Sequence, residues 1–223
     1  MQMTHIDNKL AARSSVYGVV LNDGASLQKI GAALDAAPYK GAPKAPVLYI
    51  KPANTRVPSG ATIALPTGAT AVEVGAVIGL VMGRAAARLT PDHALEAVAG
   101  IVLAGDLSLP HDNYYRPAIR EKCFDGALPI SSIKPLVDLS SLVLTTTIDG
   151  KLVEQRSLAD LQRSPGQLLA DVSEFMTLSA GDVLLLGVSY MAPQAGVGAS
   201  VSVSAEGLGA LHFSIAAVEG SAS

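Results

Sequence analysis

The chain has 223 residues, enough for one sizeable hydrophobic core and at most two domains, and one domain is expected. Lys and Arg number 16 against 19 Asp and Glu, a net charge of −3, so no basic field exists to draw in nucleic acid or an acidic membrane surface. Hydrophobic residues make up 49% and charged residues 16%, which excludes intrinsic disorder and points to extensive burial or subunit contact.

Residues 1–15 are polar and irregular and read as a loose leader to a single domain over 16–219. The first apolar run, Val16 to Leu21, starts the fold. In ASLQKIGAALDAAP the helical spacing of Leu27, Ile30 and Leu34 predicts a short amphipathic helix that Pro38 stops. VLYIKP reads as a strand ended by Pro52, with Lys51 at its end. TIALPTGATAVEVGAVIGLVMG alternates turn signals with Val/Ile runs, as in a hairpin or sheet pair, and embeds Glu73 in an apolar strand. Thr90 as N-cap and Pro91 at the first helical position predict a helix leading into a strand that ends at Asp106.

The stretch SLPHDNYYRPAIREKCFDGALPI is long, polar and aromatic, and reads as a functional or interface loop. LVLTTTIDGKLVEQ is a hairpin turning at Asp149-Gly150. SLADLQRSPGQLLADVSEFMTL has helical periodicity broken at Pro165, and SAGDVLLLG gives a turn and a strand ending at Gly187. VGASVSVSAEGLGALHFSIAAVEG then reads as a pair of strands about a Gly-rich turn. The sum is an α+β domain dominated by antiparallel strands. A lone Cys123 forms neither an internal disulfide nor a thiolate cage, and fits a reducing, cytoplasmic setting. The longest weakly polar stretch, AVIGLVMG, is far short of the roughly 20 residues of a membrane helix.

No G-x-S-x-G elbow, H-E-x-x-H pair, phosphate-binding loop or dinucleotide fingerprint occurs. Glu73 and Asp106 lie among apolar neighbours on separate strands; such carboxylates hold a hard cation such as Mg²⁺ or pair with Lys or Arg. Lys51 and Lys122 flank the same regions, either as proton-transfer groups beside an enolate or as solvated amines. Arg116, next to Tyr114 and Tyr115, offers a planar fork for a substrate carboxylate or an interface contact.

Four runs in order, PYKGAPKAPVLYIKPANT, VGAVIGLVMGRAA, AGDLSLPHDNYYRPAIREKCFDGALPI and DLQRSPGQLLADVSEFMTLSAGDVLLLG, resemble the fumarylacetoacetate hydrolase family over residues 16–215, and more narrowly the amino-terminal half of its tandem-fused members. The resemblance implies a mixed β-roll with flanking short helices. It implies Mg²⁺ or Mn²⁺ held by three carboxylates, a metal-stabilised enolate, and isomerase and decarboxylase chemistry on a dicarboxylic 2-oxo acid of aromatic-compound catabolism. It also implies a homo-oligomer, or a hetero-oligomer with a subunit like the carboxyl-terminal half.

Carried over by position, Glu73 and Asp106 are the metal ligands, Lys122 assists proton transfer, and Lys51 and Arg116 meet substrate carboxylates. The family's first Glu is Ala71 here, its His and Glu near the start are Ser26 and Lys29, and its G-T-P is Gly187-Val188-Ser189. Asp112 or Asp125 stands near enough in sequence to replace the missing ligand. Two rival expectations follow: a non-catalytic partner subunit of a full-triad homologue, or another 2-oxo acid decarboxylase or acylpyruvate hydrolase of the family.

Overall fold

The computed structural model describes residues 14–37, 40–111 and 118–218. Residues 1–13 of the expected leader lie outside them, but Ser14 and Ser15 are tied down. Arg56 donates to Ser14 Oγ at 2.8 Å, and the Ser15 amide donates to Asp182 Oδ1 at 2.7 Å.

Among the described residues, thirteen strands and three α-helices follow in chain order. They are β1 (Val16–Val20), α1 (Gly24–Ile30), β2 (Val47–Lys51), β3 (Arg56–Pro58), β4 (Thr62–Leu65), β5 (Ala71–Met82), β6 (Val98–Ser108), α2 (Ile119–Lys122) and β7 (Leu128–Ile130). Next come β8 (Val143–Ile148), β9 (Lys151–Ser157), α3 (Pro165–Phe175), β10 (Val183–Leu185), β11 (Gln194–Gly196), β12 (Ser200–Ala205) and β13 (Gly209–Ala217). Most ladders are antiparallel, and the few helices are short, as an α+β reading requires.

Local chemistry explains several of these boundaries. Asp23 caps α1 by accepting from Ser26 N at 2.8 Å, and Gly31, at φ 50°, ends it. The helix therefore stops at Gly31 and not at Pro38, which lies outside the described residues. Ser164 caps α3 and Pro165 occupies its first turn, so Pro165 starts this helix where a break was expected. The helix expected after Thr90 is only a 3₁₀ turn, Ala94–Ala97, because the chain enters β6 directly, and β6 runs past Asp106 to Ser108. The Asp149-Gly150 turn has positive φ at both residues, 51° and 75°, the type I′ geometry that suits a hairpin.

The strands form two sheets, one of eight strands with the path β2-β1-β10-β5-β6-β7-β3 and β11 beside β5, the other of five in the order β4-β13-β12-β8-β9. The expected pairing of β4 with β5 does not occur. β4 joins β13 in the smaller sheet, running parallel to it, while β5 pairs with β6, β10 and β11. Alternation along β5 divides the interior. Val72, Val74, Ala76, Ile78, Leu80 and Met82 face the main core, which includes Ile63, Leu65, Val201, Val203, Leu211 and Phe213 of the smaller sheet and Leu168, Leu169 and Val172 of α3. Val77 and Val81 face the other way, into a second cluster with Val16, Val102, Ala104, Leu128, Val183 and Leu185. Polar side chains gather at the border of this second face. Among the described residues no helix is long and apolar enough to cross a membrane.

Candidate active site

Register brings the expected carboxylates together. In the β5–β6 ladder Glu73 stands opposite Ser108 and Gly75 opposite Asp106, so Glu73 and Asp106 are diagonal neighbours on one face. Asp106 is buried and Glu73 half-buried. On the neighbouring β1–β2 ladder, Val16 pairs with Lys51 and Gly18 with Tyr49. Because Val16 belongs to the second cluster, Lys51 and Tyr49 project to the same face as Asp106.

Lys51 is almost wholly buried, at 1% exposure. Its three N–H donors go to the carbonyls of Leu107 at 2.8 Å, Lys122 at 2.7 Å and Ala127 at 3.0 Å. The ammonium therefore ties β6 to the end of α2 and to the residue before β7, and its N–H groups are taken up by these protein acceptors. Asp106 Oδ1 lies 2.7 Å from Lys51 Nζ, a charge-assisted hydrogen-bond distance, so the ammonium serves this carboxylate as well as the three carbonyls. Burial pulls the Lys51 amine down to about 8, against the opposing pull of Asp106.

The second oxygen, Asp106 Oδ2, has two donors. Tyr49 donates its hydroxyl to it, and Lys122 Nζ lies 3.1 Å away. Lys122 Nζ also sits 4.7 Å from the centre of the Tyr49 ring, over its face. Burial alone raises the Asp106 carboxyl, but Lys122 and Lys51 outweigh it and hold it at about 2. Burial and the adjacent Asp106 carboxylate push the Tyr49 phenol well above its ordinary value. The Glu73 carboxyl is also raised, chiefly by burial, with His111 and Lys122 opposing.

Of the residues singled out in the sequence, Lys51, Glu73, Asp106 and Lys122 thus share one neighbourhood. Lys122 ends α2, inside the stretch expected to be loop. Arg116 and Asp112 lie outside the described residues. Asp125 is at the surface, accepting from Asn54 at 2.7 Å. Ala71 lies on the same face of β5 as Glu73, two residues before it. Among the described residues no three His, Cys, Asp or Glu side chains group as a metal site. Tyr49 was not singled out. Its available signal was the Tyr-x-Lys alternation in VLYIKP, which puts both side chains on one face of a strand.

The comparisons agree with this architecture. Residues 15–216 match the model for the fumarylacetoacetate (FAA) hydrolase C-terminal domain. The chain is 38% identical over 205 residues to the 4-hydroxyphenylacetate degradation bifunctional isomerase/decarboxylase of Salmonella dublin, which covers 92% of this chain and 48% of that protein. The chain thus spans about half the length of the curated relative it matches. Among solved structures, 5-carboxymethyl-2-hydroxymuconate delta-isomerase from Mycobacterium smegmatis superposes with a TM-score of 0.80 at 26% identity, over 95% of this chain and 81% of that one. Fumarylpyruvate hydrolase from Pseudomonas aeruginosa, in complex with Mn²⁺ and pyruvate, shares the fold at a TM-score of 0.78 and 20% identity, over 91% of this chain and 89% of that one. The chain belongs to the fumarylacetoacetate hydrolase family.

Proposed function

We propose that the chain is a subunit of an isomerase/decarboxylase that acts on dicarboxylic 2-oxo acids of 4-hydroxyphenylacetate catabolism, with Lys122 as its reactive group. The observation that carries this reading is the state of the Lys122 ammonium. One N–H is spent on Asp106 Oδ2, leaving two for a ligand, and its side chain is 11% exposed where that of Lys51 is sealed. Glu73 lies within electrostatic reach of both Lys122 and His111 and borders the same region.

Decarboxylation or proton transfer next to a 2-oxo group moves an electron pair onto the oxo oxygen. An ammonium fixed at that oxygen stabilises the enolate as its charge develops, and the same N–H can return a proton to carbon. Asp106 keeps Lys122 in place without competing for the ligand, and Lys51 holds the backbone carbonyl of Lys122. Arg116 keeps its proposed role at a distal substrate carboxylate.

The described residues do not fit the Mg²⁺ or Mn²⁺ expected from the resemblance. Asp106 already meets two ammonium groups, Lys51 and Lys122, and Glu73 has Lys122 and His111 within electrostatic reach. A divalent ion approaching Asp106 meets Lys51 beside one oxygen and Lys122 beside the other. The third carboxylate position is Ala71, and ligand charge sets affinity for such ions. No step is therefore routed through a metal.

The test is turnover of 5-carboxymethyl-2-oxohex-3-enedioate by the purified chain in chelator. Lys122→Ala should lower kcat by about a hundredfold or more while the protein stays folded by circular dichroism; unchanged turnover overturns the assignment. A second reading, a structural partner of a homologue with all three carboxylates, is favoured by Ala71. It predicts no turnover from this chain alone and activity only when the two are mixed.

A further inference from the structure

We infer that Tyr49 is a positioning residue for Lys122, and that Gly18 is glycine so that the Tyr49 ring can reach that position. The inference rests on the reading of Lys122 as the reactive group. A lysine side chain with one hydrogen bond retains most of its rotamers. Here two features of one residue restrict it: the Tyr49 hydroxyl shares Asp106 Oδ2 with Lys122, and the ring face lies under Nζ.

The support on the other side of the ring is unusual. A methyl group built on Gly18 would lie 2.1 Å from a ring carbon of Tyr49 and 2.3 Å from its hydroxyl oxygen. The Tyr49 ring thus lies directly on the Gly18 backbone, across the β1–β2 ladder. Gly18 is absent from the residues with positive φ, so its backbone conformation does not itself call for glycine. The ring calls for it. Any side chain at position 18 would lift the ring from the strand, moving both its hydroxyl and the face that holds Lys122.

This arrangement can be tested without turnover. In protein labelled with ¹³C-lysine, the Lys122 Cε protons, assigned by their loss in Lys122→Arg, should be shifted upfield by the ring beneath them. The shift should persist in Tyr49→Phe and vanish in both Tyr49→Leu and Gly18→Ala, although Gly18 lies on another strand. A Gly18→Ala/Tyr49→Leu double variant has no ring to displace and should match Tyr49→Leu, which separates ring displacement from general damage to β1. Oxalate, a planar enolate mimic, should bind by calorimetry about tenfold more weakly to Tyr49→Leu and Gly18→Ala, and about threefold more weakly to Tyr49→Phe. A Lys122 signal unmoved in Tyr49→Leu or Gly18→Ala overturns the inference. Oxalate binding unaffected by Lys122→Ala instead overturns the functional reading, and leaves the spectroscopic result to decide the role of Tyr49.

Discussion

Among the described residues, two aspartates are buried against basic side chains, and they are neutralised in different ways. Asp23 Oδ1 accepts from Arg156 Nη1 at 3.2 Å, while Arg156 Nη2 donates to the carbonyls of Gly187 at 2.8 Å and Ala76 at 3.2 Å. Asp23 Oδ2 accepts from the Ser26 amide at 2.8 Å and its hydroxyl at 2.5 Å, and Ser26 Oγ accepts from the Tyr190 amide at 2.7 Å. One negative charge meets one positive charge, and the guanidinium of β9 is fastened to the backbone of the larger sheet. Asp106, by contrast, meets two ammonium groups and a phenol, and one of the ammonium groups is partly exposed. A balanced and sealed pair braces the two sheets; an unbalanced one with an open member leaves room for an anionic ligand.

The largest effect expected from this difference is on stability. Arg156→Met leaves Asp23 buried without its counter-charge and should cost about 3–5 kcal/mol in urea unfolding, and replacing Asp23 by Leu as well should recover some of the loss. Lys122→Met, at the other centre, should cost clearly less, about 1–2 kcal/mol, because Asp106 keeps Lys51 and Tyr49. A Lys122→Met protein as destabilised as Arg156→Met would erase the distinction.

Acid offers a finer probe. The Asp106 carboxyl titrates near 2 in the folded protein, below its ordinary 3.8. Its contribution is therefore complete above pH 3.8 and is lost as pH falls through about 2, amounting to about 2 kcal/mol. Lys51 works in the opposite sense. Its folded value near 8 lies below the ordinary 10.5, so the unfolded chain binds the extra proton in that window and stability gains from Lys51 as pH rises from 8 to 10.5. Asp106→Asn should remove the acid limb between pH 4 and 2 from the stability profile measured by chemical unfolding; an acid limb of full size in that variant would place its origin elsewhere.

What could be read in the chain beforehand follows the range of the forces involved. The β8–β9 hairpin was legible because Asp149-Gly150 dictates its own turn, and the β12–β13 pair because its strands are neighbours. β4 was misassigned because its partner, β13, lies about 150 residues downstream and no local signal marks a parallel edge. The identities of Lys51, Asp106 and Lys122 were legible as charged residues in apolar or functional stretches. Their division of labour was not. That Lys51 is a strut depends on the carbonyls of Leu107, Lys122 and Ala127, three points brought together only by folding. Tyr49 read as an ordinary strand aromatic because its significance lies in Gly18, on the paired strand.

The smallest expected effect concerns Ser26, which occupies a position where the family resemblance led to the expectation of a histidine. Its hydroxyl is buried and fully committed, donating to Asp23 and accepting from Tyr190 N. Ser26→Ala leaves the Tyr190 amide without that acceptor but keeps the Ser26 backbone contact that caps α1. The cost should be about 1 kcal/mol, measured as a lower urea midpoint at an unchanged denaturant slope. Oxalate affinity should stay at the wild-type value, because every polar partner of this hydroxyl belongs to the brace and none to the Asp106 cluster. If Ser26→Ala weakened oxalate binding as strongly as Tyr49→Leu, the brace and the Asp106 cluster would belong to one site, with the ligand spanning the distance between them.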